Sequence, residues 1–320
     1  MIEREPADLL ALAQGGSRTA LALLLTYVES ESPRHRTTAS LVYAKPAPYV
    51  VGITGPPGAG KSTLTDRLIT TALSHGSFDG DGAFDQVGIL CVDPSSPFTG
   101  GAILGDRIRM QDHATDEHVF IRSMATRGHL GGLSLAVPDA LRVLGAANFT
   151  LALVETVGVG QMEVDIASAA DTTVVVTNPG WGDAMQANKA GLLEVADIFV
   201  INKADRTGVR ETRRDLEQML DLGGTHDWRP VIIETVASDG VGTEELWSAI
   251  SDHRRFFAGA RREARVRQRT RANFDQVLAA TLRAQIGAVS AGQAYDAQIA
   301  QLLADQTDPY RAADTLLSES

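Results

Sequence analysis

The stretch Val50–Thr63, reading VVGITGPPGAGKST, constrains the fold of this chain more than any other. An apolar run leads into a glycine-rich turn, and a helix-forming segment, Leu64 to Leu73, follows. Gly55 to Ser62 fits the pattern G-x-x-x-x-G-K-[ST] at every position. Glycines let the backbone curl so that successive N–H groups point inward with no Cβ in the way. The helix behind adds its positive N-terminal end. Lys61 would reach β- and γ-phosphate oxygens, and Ser62 would offer its hydroxyl to Mg²⁺. A strand, a phosphate-cradling turn and a helix are therefore expected here, with Gly58, Ala59, Gly60, Lys61, Ser62 and Thr63 facing the ligand.

The same alternation continues down the chain. Apolar runs at Tyr49–Thr54, Val87–Val92, Val119–Ser123, Leu151–Glu155, Thr172–Thr177, Ile198–Ile201 and Val231–Thr235 read as strands covered on both faces. Helical stretches lie between them at Lys61–Ser74, Leu133–Ala147, Ala184–Val195, Val209–Leu220 and Thr243–Phe257. The pattern predicts an α/β fold with a doubly wound, mainly parallel sheet, whose ligands sit beyond the carboxyl ends of the strands.

Three regions are expected. Residues 1–47 form an N-terminal helical extension, broken by Gly15-Gly16-Ser17 with Ser17 as a cap, and Lys45-Pro46-Ala47-Pro48 links it to the first strand. Residues 48–258 form the nucleotide domain. Residues 259–320 form a C-terminal helical arm. Its basic run, from Arg261 to Arg271, precedes Phe274, Val277, Leu278, Leu282 and Ile286 at helical spacing. A solvated face or a partner contact is the usual meaning of such a run.

Bulk properties exclude several classes. The formal net charge is -11, which disfavours nucleic acid and anionic membranes as partners. Cys91 is the single cysteine, so no intramolecular disulfide forms and a cysteine-based metal site is not expected. No secretory leader is legible at the start, and Ala20–Val28 is too short to cross a bilayer, so a cytoplasmic protein without a membrane span is expected.

The base is addressed by Asn202-Lys203-Ala204-Asp205, directly after the strand Ile198–Ile201. A carboxylate at Asp205 accepts from guanine N1–H and the 2-amino group together, whereas adenine presents a lone pair there and no 2-amino group. Lys203 would lie along the ring and Asn202 would tie loops together. Thr235-Val236-Ala237-Ser238 follows the last strand of the domain, where backbone N–H groups such as that of Ala237 would meet the guanine 6-oxygen.

Acids stand near other strand ends: Asp93, Asp106 and Glu155. A hard cation bridging β- and γ-phosphates wants such oxygen ligands. Glu155-Thr156-Val157-Gly158 has the form of the switch D-x-x-G with glutamate in the first place, so the Gly158 N–H would contact the γ-phosphate. Lys61, Asp106, Glu155 and Gly158 are the candidate catalytic groups, and Ser62, Asp93, Asp106 and Glu155 the candidate metal ligands. No side chain stands out as a catalytic base; Gln161 is a candidate for orienting water.

Taken together, Gly55–Thr63, Val92-Asp93-Pro94-Ser95-Ser96-Pro97, Gly105-Asp106-Arg107-Ile108-Arg109-Met110, Glu155–Gln161 and Asn202–Asp205 resemble the MeaB/MMAA (ArgK-type) GTPase family over essentially the whole chain. The resemblance implies a GTP- and Mg²⁺-dependent chaperone that gates adenosylcobalamin loading and protects an adenosylcobalamin-dependent acyl-CoA mutase, most often methylmalonyl-CoA mutase. It implies slow, partner-stimulated hydrolysis and a homodimer formed through the C-terminal arm. It also implies a partner-responsive loop at Pro179-Gly180-Trp181-Gly182-Asp183-Ala184-Met185-Gln186-Ala187-Asn188-Lys189, where Asp183, Gln186 and Lys189 keep the family pattern and Asn178 and Trp181 depart from it. A metallochaperone-type GTPase is the alternative, but seven histidines and one cysteine without paired spacing argue against its Cys/His metal site. A kinase is the third reading, and guanine selectivity at Asp205 argues against it.

Overall fold

The computed structural model describes residues 4–30, 33–78, 81–93, 113, 116–125, 136–156, 162–180, 195–222 and 227–318. The chain opens with three helices, α1 (Pro6–Gln14), α2 (Arg18–Glu29) and α3 (Pro33–Tyr43). Then come β1 (Tyr49–Thr54), α4 (Lys61–His75), a short antiparallel hairpin of β2 (Ser77–Phe78) and β3 (Asp81–Ala83), β4 (Val87–Asp93) and β5 (Val119–Ala125). These are followed by α5 (Ala136–Ala146), β6 (Leu151–Thr156), α6 (Met162–Ala169), β7 (Thr172–Thr177) and β8 (Ile198–Asn202). The remaining elements are α7 (Val209–Leu222), β9 (Val231–Thr235), α8 (Thr243–Phe256), α9 (Ala260–Ser290), α10 (Gln293–Leu303) and α11 (Pro309–Ser318).

Seven strands form one sheet in the order β5-β4-β6-β1-β7-β8-β9, and every neighbouring pair is parallel. The expected doubly wound α/β fold is what the chain adopts. Strand alternation gives the sheet two buried faces, and the core falls into three clusters, the smallest joining Val175 of β7 and Phe199 and Ile201 of β8 to Leu216 of α7. Val51 and Ile53 of β1 pack with Leu64 and Leu68 of α4 and Trp247 and Ile250 of α8. On the other face, Val50 joins a cluster containing Leu24 and Leu25 of α2, Leu141 and Leu144 of α5 and Ile166 of α6. The N-terminal helices thus share a core with the sheet. Ser17 caps α2 by accepting from Ala20 N–H at 3.3 Å. At Gly52 a Cβ would lie 2.8 Å from Ile166 Cγ1 and 2.9 Å from Ala170 Cβ, so glycine lets α6 settle on β1.

Three elements go beyond the sequence reading: α3, a third helix within the expected helical extension, the β2–β3 hairpin and α6. The hairpin region is rich in Gly and Asp, and tertiary packing decides it: Phe78 and Phe84 bury their rings against Trp247, with centroids 4.9 and 5.9 Å away. The expected helix Ala184–Val195 lies outside the described residues except at its last position.

The edge of the sheet where the strands begin is closed by two aspartates. Asp171 N donates to Val50 O at 2.7 Å while its Oδ2 accepts from Val50 N at 2.9 Å. Asp197 repeats this with Thr173, at 2.9 and 2.7 Å. The second oxygen of Asp197 lies 3.0 Å from His253 Nε2. Tyr49 is buried beside them with its hydroxyl 2.6 Å from Thr172 Oγ1, and burial pushes its pKa well above the usual phenol range.

The chain divides into two units, Met1–Ala264 and Arg265–Ser320. The second consists of most of α9 with α10 and α11. On α9, Phe274, Leu278, Leu282 and Ile286 recur every fourth residue and are all exposed. Among the described residues no helix is long and apolar enough to cross a membrane.

Candidate functional site

The site assembles at the carboxyl ends of β1, β6, β8 and β9. Ile53 pairs with Glu155, Glu155 with Cys91 and Asn202 with Thr235, so the residues that follow emerge along one edge. The turn after β1 needs its glycines: Gly55, Gly58 and Gly60 have φ of 139°, 78° and 94°, in the region that side chains disfavour. Gly55 also lies against the Val176 carbonyl with no room for a Cβ. Lys61 and Ser62 open α4 and are buried, while Thr63 is exposed.

Lys61 folds over the turn, donating from Nζ to Gly55 O at 2.8 Å and Pro56 O at 3.1 Å. An ammonium held over this loop is placed to exchange carbonyl partners for phosphate oxygens. Ser62 Oγ donates to Glu155 Oε1 at 2.6 Å, and Glu155 is 1 % exposed. That bond spends the hydroxyl proton on the carboxylate and leaves the Ser62 oxygen lone pairs for a cation. The pair is a hard oxygen donor set of the kind Mg²⁺ takes. Below it, Thr156 Oγ1 donates to Thr54 Oγ1 at 3.0 Å, tying β6 to β1.

Asp93 ends β4, one residue past the Val92–Thr156 pairing, so its backbone stands at the same edge as Glu155. Asp106, Gly158 and Gln161 lie outside the described residues, as do Trp181, Asp183, Gln186 and Lys189.

The base end is built around Asn202, which is 2 % exposed. Its Nδ2 donates to Ala59 O at 2.8 Å. Its Oδ1 accepts from Thr235 Oγ1 and from Ala237 N, both at 3.0 Å. One side chain thus joins the phosphate turn, the end of β8 and the turn after β9. The Ala237 N–H, expected among the donors to a guanine oxygen, is engaged by Asn202. Lys203 adopts a left-handed conformation, φ 59°, and its Nζ donates to Gly58 O at 2.6 Å, laying the stem across the gap between turn and strand end. Asp205 is exposed, two residues on. The 3₁₀ turn Ala237–Asp239 is held from the far side by Arg67 of α4, whose Nη2 donates to Ser238 O at 3.3 Å. No motif spacing marks Arg67 or the Thr54–Thr156 pair; only the fold brings them to the site.

Comparison with known proteins agrees with this geometry. Residues 21–290 match the family model described as methylmalonyl Co-A mutase-associated GTPase MeaB. A putative GTPase of Pyrococcus abyssi is 46% identical over 319 residues, covering 98% of this chain and 96% of its own. The mouse protein named methylmalonic aciduria type A homolog, mitochondrial, is 32% identical over 74% of this chain and 60% of its own. Among solved structures, one titled LAO/AO transport system kinase superposes with a TM-score of 0.70 at 25% identity, covering 99% of this chain and 98% of its own. With a seven-stranded parallel sheet, a glycine turn capped by Lys61 and Ser62, and a family match over most of its length, this chain belongs to the MeaB family of GTPases.

Proposed function

We propose that this GTPase binds GTP and GDP with Mg²⁺ and serves as a chaperone of an adenosylcobalamin-dependent acyl-CoA mutase, gating cofactor loading and protecting the loaded enzyme. The observation that carries the nucleotide part is the Asn202 bridge, which ties the phosphate turn to the base-side turn. The mutase part rests on the family's description.

In this reading Gly58, Ala59, Gly60 and Thr63 line the phosphates, and the Lys61 ammonium leaves Gly55 O and Pro56 O to neutralise charge on the β- and γ-phosphate oxygens. Ser62 would present an oxygen lone pair to the metal because its O–H is directed to Glu155 in a hydrogen bond. Asp93 and Asp106 complete the acid set, and Gly158 follows the γ-phosphate. Bound Mg²⁺ supplies charge neutralisation at the transferring phosphoryl group. Asp205 selects guanine, Lys203 covers the ring, and Ala237 closes the base side. The arm from residue 259 to 320 carries the homodimer contact, with the stripe Phe274, Leu278, Leu282 and Ile286 as its apolar face. The loop around Trp181 and Lys189 meets the mutase, and the protein works in the cytoplasm.

The test is GTP turnover by the purified protein, alone and with an adenosylcobalamin-dependent acyl-CoA mutase from the same source. Strong acceleration is expected. Turnover indifferent to every such mutase would remove the chaperone reading and leave a GTPase with another class of partner.

A further inference from the structure

The base-side turn is gripped twice, once by a residue of the nucleotide motif and once by a residue outside every motif. Asn202 Oδ1 holds Ala237 N, and Arg67 Nη2 holds the Ser238 carbonyl. Arg67 stands on α4 six residues after Lys61, so the helix that opens with the phosphate-binding lysine also reaches the turn on the base side. The turn is short, Ala237–Asp239, and its other ties are main-chain bonds: Asp239 N to Val236 O at 2.9 Å, Gly240 N to Ala237 O at 3.3 Å, and the Val236–Val241 bridge at 3.0 and 3.3 Å. A three-residue 3₁₀ turn has weak hydrogen bonds of its own, so external grips decide where its N–H groups point.

We propose that Arg67 is a positioning residue for guanine recognition: it fixes the turn Ala237–Asp239 from the α4 side and so sets the base-binding end without touching the phosphates. This rests on the reading of Asn202–Asp205 as the guanine site. The guanidinium holds Ser238 O, whose peptide unit lies between Ala237 and the turn's exit at Gly240. Loss of that donor frees the turn on one side while Asn202 still holds the other. The bond faces solvent, so its effect on affinity is moderate.

The experiment measures GDP dissociation constants, the Mg²⁺ requirement and steady-state GTP hydrolysis for full-length Arg67→Met and Arg67→Lys. Methionine keeps an apolar stem over α4 and removes the donors; lysine keeps a cation. Arg67→Met is expected to weaken GDP binding and raise KM for GTP by about two- to tenfold, the size of one hydrogen bond. Its kcat and Mg²⁺ requirement stay at the parent values, and Arg67→Lys recovers part of the loss. General damage to α4 would lower kcat and raise the Mg²⁺ requirement as well, because Lys61 and Ser62 open the same helix. That result, or GDP binding equal to the parent's, overturns the proposal. Asp205→Asn run alongside separates the two levels. If it fails to shift selectivity toward xanthine nucleotides, the guanine reading itself falls. If it shifts selectivity and Arg67→Met changes nothing, only the role of Arg67 falls.

Discussion

Asn202 and Ala59, 143 residues apart in the chain, are joined by a 2.8 Å hydrogen bond from the buried amide to the main-chain carbonyl of the phosphate turn. The same side chain accepts from Thr235 and Ala237. Asn202→Ala strands the Ala59 carbonyl and the Ala237 N–H together. Three bonds of ordinary strength make the loss about 2–4 kcal/mol. Denaturant titration and GDP affinity should both fall; a variant with parent stability and affinity would show that the three loops hold their places without it.

Glu155→Asp withdraws the carboxylate by one methylene from a hydroxyl it now meets at 2.6 Å. Ser62 then loses the group that orients its lone pairs. The Mg²⁺ concentration needed for half-maximal turnover should rise several-fold while guanine selectivity is kept. An unchanged magnesium titration would remove Glu155 from the metal's surroundings.

Lys61→Ala removes the only side chain that donates to the Gly55 and Pro56 carbonyls among the described contacts of that turn. Hydrolysis should be abolished, with correct folding shown by the far-ultraviolet circular dichroism of the parent. Residual turnover near the parent rate would mean that the phosphate turn is misassigned.

Gly52→Val places branched carbons where α6 already sits, with Ile166 Cγ1 2.8 Å from the position of the new Cβ. Overpacking of this kind costs about 1–3 kcal/mol. The melting temperature should drop. An unchanged melting curve would show that α6 rides on β1 more loosely than the packing implies.

Much of this architecture is written locally. Strands covered on both faces are continuous apolar runs, and Tyr49–Thr54, Thr172–Thr177 and Val231–Thr235 begin and end in the structure where the sequence places them. The glycine turn is legible for a related reason: its left-handed φ values demand glycine at Gly55, Gly58 and Gly60, whatever else surrounds them. What the sequence hides depends on distant partners. The β2–β3 hairpin exists because Phe78 finds Trp247, and no window around Ser77 contains that information. Arg67 looks like any exposed helical arginine until the fold sets Ser238 beside it. The engagement of the Ala237 N–H by Asn202 is equally invisible, since it depends on how far the turn after β9 leans toward β8.

The aspartate closures at the start of the strands carry a consequence for how the molecule breathes. Val50, Asp171, Thr173 and Asp197 are reciprocally bonded there, main chain to side chain and main chain to main chain. An amide fixed in that manner should open only with the sheet, so that its hydrogen exchange reports the free energy of global unfolding. At the opposite edge, the glycine turn is held by side chains instead, from Asn202, Lys61 and Lys203. One side of the sheet is therefore fastened by bonds that only unfolding breaks, and the other by lysine and asparagine side chains that can change partners while the strands stay paired.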